Sequence, residues 1–175
     1  MKKLIFNEEK ISDSEVNEII TKVKVFIINK NNEILLALSG GGVQLPGGHV
    51  ENFETNEEAL TREILEETGM YLKNNKFNSF FEIDHYSKNY KNTGNNRVSK
   101  IIYYTVISEQ LPNKERMNLT KQEKENDFRL KYIPMDAFEK FIEEYNTEQN
   151  KDINKVIIKE LMQAFIELKK YLNQN

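Results

Sequence analysis

The sequence predicts an α/β fold with a mixed sheet lying between helical layers. Three observations carry that prediction. Val23-Lys24-Val25-Phe26-Ile27-Ile28 is β-branched and apolar on both faces, as a strand buried on two sides must be. Strand-like runs alternate with helix-like ones, and short turns join some of the strands. A stripe of Ile153, Ile157, Leu161, Phe165, Leu168 and Leu172, widened by Ile158, Met162 and Ile166, recurs at helical spacing from about Asp152 to Leu172.

The elements follow in order. Lys2 to Phe6 reads as a short strand and Ser12 to Asn17 as a helical turn. After the central strand, Asn29 to Asn32 forms a turn and Ile34 to Leu38 returns from it. Gly40-Gly41-Gly42 reads as a flexible loop. A phosphate cradle would need a helix start directly after it, and none follows. Lys76 to Tyr86 and Val98 to Ile107 are two further strands, separated by the polar segment Ser87 to Arg97. Phe128 to Ile133 is another strand. Pro134 then precedes a helix for which Asp136, with Glu139 three residues on, is the expected cap.

Composition bounds the function. At 175 residues the chain suits a single domain over 1–175, with 1–20 as an N-terminal extension and 152–172 as a C-terminal helix packed on it. Hydrophobic content is 38% and charged content 30%, ordinary for a globular protein. A net charge of −3 and a pI of about 5.6 argue against broad nucleic-acid binding. The absence of cysteine excludes disulfides, thiolate metal sites and a cysteine nucleophile. No apolar run has membrane-spanning length, and that of the first six residues is too short for a signal peptide. The expected location is the cytoplasm.

The chemistry lies in residues 48–70. Thr55 with Glu58 has the form of a capping box, and Gly69 is the residue type that ends a helix in the left-handed region. On the helix between them, Glu63, Glu66 and Glu67 share an arc of roughly 100°. Like charges at i,i+4 destabilise a helix by about 0.2–0.5 kcal/mol, and acids in the last turn oppose the helix dipole. Arg62 offsets part of that charge. A solvated acidic face is one reading; a hard divalent cation held by carboxylate oxygens is the other.

The segment resembles the Nudix box, Gly-x5-Glu-x7-Arg-Glu-U-x-Glu-Glu-x-Gly-U, with U a bulky aliphatic residue. Gly48, Glu54, Arg62, Glu63, Ile64, Glu66, Glu67, Gly69 and Met70 fill all nine constrained positions. With residue usage of several per cent, a chance match is on the order of 10⁻⁸ per starting position. Leu45-Pro46-Gly47 and Val50-Glu51 also match the family's flanks. The resemblance, to the MutT-like branch, implies an α/β/α sandwich with a mixed sheet and an extra C-terminal helix. It implies hydrolysis of a pyrophosphate bond in a nucleoside diphosphate linked to another moiety, with Mg²⁺ or Mn²⁺. It makes Glu63, Glu66, Glu67 and a Gly48 or Gly47 carbonyl the metal ligands, and Arg62 the residue that orients a carboxylate.

Glu54 would support the loop or bind metal through water, and Glu51 is a further outer ligand. The general base is left among Glu67, Glu63 and the later acids Glu123 and Glu125, with Glu82 weaker; as exposed loop acids the later residues would have no such role. Lys88, Tyr90 and Arg97 give the polar loop a substrate-contact reading, cations for phosphate and a ring for stacking, against a plain mobile hairpin. His49 and His85 are expected at the surface. A small nucleotide-type substrate is the expected partner, with nucleic acid and membrane not expected and a homodimer open. An inactive ligand-sensing domain and an RNA 5′-end hydrolase are the competing readings. The substrate itself is not legible.

Overall fold

The computed structural model describes residues 1–149 and 152–174; the side chains of 146–149 and 152–155 lie outside the description, and with them the expected contribution of Ile153. The strands are β1 (Lys2–Phe6), β2 (Glu18–Ile28), β3 (Glu33–Ser39), β4 (Gly42–Gln44), β5 (Asn78–Ser87), β6 (Arg97–Ile107) and β7 (Arg129–Pro134). The helices are α1 (Asn56–Thr68), α2 (Lys121–Glu125), α3 (Phe138–Gln149) and α4 (Asp152–Leu172). Among the described residues the strands form one mixed sheet in the order β1-β5-β6-β2-β3-β4, with β7 paired to β3. β1 runs parallel to β5 and β2 parallel to β6, while the β5–β6, β3–β4 and β3–β7 pairs are antiparallel.

The central strand shows why both faces of the sheet are covered. Successive side chains of β2 point to opposite sides. Val23, Val25 and Ile27 join Ala59, Leu60 and Ile64 of α1 in one apolar cluster. Phe26 and Ile28 join Phe138, Ile142, Leu161, Phe165 and Leu168 of α3 and α4 in the other. The Phe138 and Phe165 rings stack with centroids 4.3 Å apart, fixing α3 against α4. The predicted sandwich and C-terminal helix are therefore present, each helical layer buried by its own stripe.

A divergence within the sheet creates the site. β2 and β3 pair only at Ile28 and Ile34. Beyond that point the strands part, and the chain after β4 runs beside β2 instead. Val25 N–H donates to Pro46 O (3.0 Å), Val23 N–H to Gly48 O (2.9 Å) and Val50 N–H to Thr21 O (3.0 Å). This segment carries the residues that precede α1 onto the central strand.

Two local expectations change. The Gly40–Gly42 run is not an open loop: Gly42 starts β4, and Gly40 and Gly41 make the turn of a β3–β4 hairpin closed by the pairing of Ser39 with Gly42. Asp136 does not cap a helix. The chain after Pro134 opens as a 3₁₀ turn, Met135–Ala137, with no side-chain cap, and Glu139 instead pairs with Lys169 of α4 at 3.0 Å. That ion pair between neighbouring helices draws the carboxylate away from the backbone.

Candidate active site

Helix α1 holds its acids because both ends and one face are secured. Thr55 Oγ1 accepts from Glu58 N–H (3.2 Å), and Glu58 Oε2 accepts from Thr55 N–H (2.7 Å). Gly69 closes the other end in the left-handed region, its N–H bonded to Leu65 O. Leu60 and Ile64 are fully buried, each stabilising by about 1.5–3 kcal/mol. That outweighs the few tenths of a kcal/mol of repulsion among the glutamates.

Arg62 organises the exposed half of the acidic face. Its guanidinium grips Glu54 with two bonds (2.6 and 3.2 Å), donates to Glu63 Oε1 (2.8 Å) and to the His49 carbonyl (2.9 Å), and reaches Glu66 Oε2 at 3.5 Å. One planar fork thus ties the loop before α1 to its acids. The Arg62 guanidinium holds the Glu54 carboxyl below the usual range. Partial burial pushes Glu66 up, against the pull of Arg62. Glu51 is exposed, with its N–H on Glu54 Oε1 (2.6 Å).

Glu67 occupies the buried half. It is 5% exposed and its Oε2 accepts from Gly47 N–H at 2.9 Å. Burial pushes its carboxyl up to about 7, opposed by Lys24 and the Gly47 N–H and assisted by Glu63 and Glu123. Gly47 has φ +123°, and a Cβ there would strike the backbone of Val23. A Cβ on Gly48 would overlap the Glu63 carboxylate. Only glycines let this turn pass between β2 and α1.

Lys24, on the central strand, was not singled out from the sequence. Its ammonium donates to Gly47 O (2.5 Å), Leu45 O (3.0 Å) and Gln44 Oε1 (3.4 Å). Burial pushes its pKa down, while Glu67, Glu63, Glu123 and Glu160 push it up. A readable signal existed: Lys22 and Lys24 stand at i and i+2, on the same face of the strand as the apolar Phe26 and Ile28. Glu160, on α4, was also missed; it is 7% exposed.

The remaining predicted residues fall in different places. Glu123 is on α2, where Oε2 caps Thr120 through N–H (2.7 Å) and Oγ1 (2.8 Å), and it lines a cleft with Gln44. Glu125 is exposed, 3.7 Å from Lys121. Glu82 pairs with Lys3 at 2.9 Å, on the β1 side of the sheet. Arg97 is held by Glu18 through two 2.8 Å bonds and lies 3.7 Å over the Tyr90 ring. Lys88 is exposed. His49 is exposed as expected, but His85 is not a free surface residue: its Nδ1 lies 2.6 Å from Glu160 Oε1.

A family model described as the NUDIX domain matches residues 20–154. The chain belongs to the Nudix family. It is a Nudix hydrolase by that membership, and solved structures agree on the fold. A MutT Nudix hydrolase from Burkholderia pseudomallei is 22% identical, with a TM-score of 0.52 over 67% of this chain and 84% of its own. A MutT structure from work on Aliivibrio salmonicida and Vibrio cholerae is 17% identical, with a TM-score of 0.50 over 82% and 96%. The E. coli ORF135 protein is 18% identical, with a TM-score of 0.51 over 70% and 79%. Among the described residues no helix of this Nudix hydrolase is long and apolar enough to cross a membrane.

Nudix enzymes generally use divalent metal ions. Among the described residues no three acidic or histidine side chains gather into a closed ligand cluster; Glu63 is turned to Arg62 and Glu67 to Gly47. The donor set nevertheless suits a hard cation. It consists of carboxylate oxygens on one helix face, beside a glycine turn that leaves room for nothing larger than hydrogen above Glu63.

Proposed function

We propose that this Nudix hydrolase cleaves a pyrophosphate bridge in a nucleoside diphosphate linked to another moiety, with Mg²⁺ or Mn²⁺ held by Glu63, Glu66 and Glu67. The observation that carries this reading is the fixed placement of Glu67, buried and bonded to Gly47 N–H, beside Glu63 packed under Gly48. A bound divalent ion would neutralise phosphate oxygens and lower the pKa of the attacking water.

The chain's own residues supply position. Arg62 orients Glu63 and anchors the Glu54 loop, so the acids meet the substrate in a preset arrangement. Lys24 holds the Gly47 carbonyl and thereby the turn that donates to Glu67. Glu67, with a carboxyl near neutrality in the absence of metal, is the best-placed proton acceptor for water. Glu123 is engaged in its own cap, which argues against it as the base.

Incubation with a panel of nucleoside diphosphate derivatives, with and without Mg²⁺ or Mn²⁺ and with products weighed by mass spectrometry, tests the reaction. The expected result is metal-dependent release of a nucleoside monophosphate or a phosphate. No hydrolysis of any member, together with no Mg²⁺ binding by calorimetry, would favour a ligand-sensing domain instead.

A further inference from the structure

Beside α1, on the same side of the sheet, the segment 111–128 faces β3 and β7 across a cavity of about 740 Å³. The segment is anchored to the last turn of α1 by backbone bonds from Asn113 N–H to Thr68 O (2.9 Å) and from Asn118 N–H to Glu66 O (2.8 Å). Leu35, Leu130 and Tyr132 line the cavity from the sheet, and Leu111, Met117, Leu119 and Phe128 line it from the segment. Leu111 is 75% exposed and the other three are half-buried, and none of the four joins either apolar cluster of the core. Large apolar side chains ordinarily serve a core; these serve a concave surface. The charge around that surface is one-sided. Lys114, Lys124 and Arg129 line it, and among the described residues no acid does, in a chain whose net charge is −3. Arg129 is shared with Asp127 at 3.2 Å, whereas the ammonium groups of Lys114 and Lys124 make no ion pair among the described residues.

We propose that this cavity binds a small amphipathic carboxylate, with its alkyl body against Met117, Phe128 and Leu130 and its head met by Lys114 and Lys124. Ligand pockets ordinarily run from about 300 to 1,000 Å³ and are mainly apolar, with a few polar groups that fix orientation. The cavity fits that description in size and in lining. Its charge selects the class of ligand. A neutral apolar molecule would leave two lysines unused, and an apolar cation would meet three like charges. The site is separate from the acids of α1, because none of Glu63, Glu66 and Glu67 lines this cavity. The inference therefore does not depend on the proposed hydrolysis.

The experiment is calorimetric titration of decanoate, octanoate and decyltrimethylammonium, each below its aggregation limit, into the full chain in EDTA without nucleotide. It is run on wild type, the double variant Lys114→Glu with Lys124→Glu, and Met117→Trp. Wild type should bind decanoate saturably, and octanoate about tenfold more weakly, because two fewer methylenes are buried. Decyltrimethylammonium should bind at least about tenfold more weakly than decanoate, since only the sign of the head differs. The double charge reversal should weaken decanoate by at least about tenfold, and Met117→Trp, which fills the cavity, should remove its binding. If one variant does not fold by circular dichroism, the other and the wild-type series decide. No saturable binding of decanoate, equal or tighter binding of the cation, or an unchanged affinity in the folded variants would overturn the inference. A dimer in sedimentation that Met117→Trp dissolves would assign the cavity to a second copy of this chain and overturn it as well. No turnover enters the readout, so either outcome leaves the proposed reaction standing on its own test.

Discussion

Helices α1 and α2 begin with the same device and end differently. Each opens with a threonine and a glutamate three residues on, closed as a reciprocal capping box. Each carries further acids. In α1 the cap starts thirteen residues that bury Leu60 and Ile64, so Glu63 and Glu67 are displayed against fixed backbone. In α2 it starts five residues with no buried side chain, and the glutamate in question is itself the cap. A glutamate becomes part of a site when the fold supplies donors for it from elsewhere, as Gly47 does for Glu67. Motif chemistry within one helix does not supply them.

The largest expected effect tests that contrast directly. Glu67→Gln should lower kcat by on the order of 10³-fold, whereas Glu123→Gln, which keeps an acceptor for the Thr120 cap, should stay within about threefold. Equal losses in the two variants would erase the distinction between the helices. Next comes Gly48→Ala. Its methyl would displace the Glu63 carboxylate, and steady-state kinetics should show a loss of about 10²-fold, because ångström-scale misplacement costs that much.

Titration sharpens the difference further. The Glu67 carboxyl is raised above its usual 4.5 to about 7, so in metal-free protein its protonation favours the folded state. That contribution is full below about 4.5 and is lost as the pH rises through about 7. Between pH 5 and 8 the metal-free Tm of wild type should fall by a few degrees more than that of Glu67→Gln. Mg²⁺ should recover more of the Tm at pH 8 than at pH 6; a recovery independent of pH would contradict the assignment. The smallest effect belongs to α2: Thr120→Ala should destabilise by about 1 kcal/mol or less in chemical denaturation, leaving kcat unchanged.

Legibility in the sequence follows the same division. Helix α1 was readable to both ends, because Thr55, Glu58 and Gly69 act within a few residues of the backbone they cap. The Val23–Ile28 strand and the α4 stripe were readable because each buries a periodic face. The β4 strand was not, since three residues beside a glycine turn have too little pattern and owe their pairing to β3. Asp136 had the form of a cap, but Glu139 went to Lys169, thirty residues away. Lys24 acquires its environment only where the segment from Gln44 to Gly47 runs beside β2, and His85 and Glu160 acquire theirs only where β5 and α4 meet. Charged residues on otherwise apolar faces were the one available hint.

The bond from Gly47 N–H to the Glu67 carboxylate has a spectroscopic consequence. Glycine amides occupy a sparse region of a ¹H–¹⁵N correlation spectrum, and seven glycines give few resonances to assign. A proton held 2.9 Å from donor nitrogen to carboxylate oxygen is deshielded according to the charge on that oxygen. The Gly47 cross-peak should therefore move through one titration as Glu67 ionises and through a different path as a cation replaces the proton. A single backbone resonance would then read out proton and metal occupancy, with no substrate or turnover required.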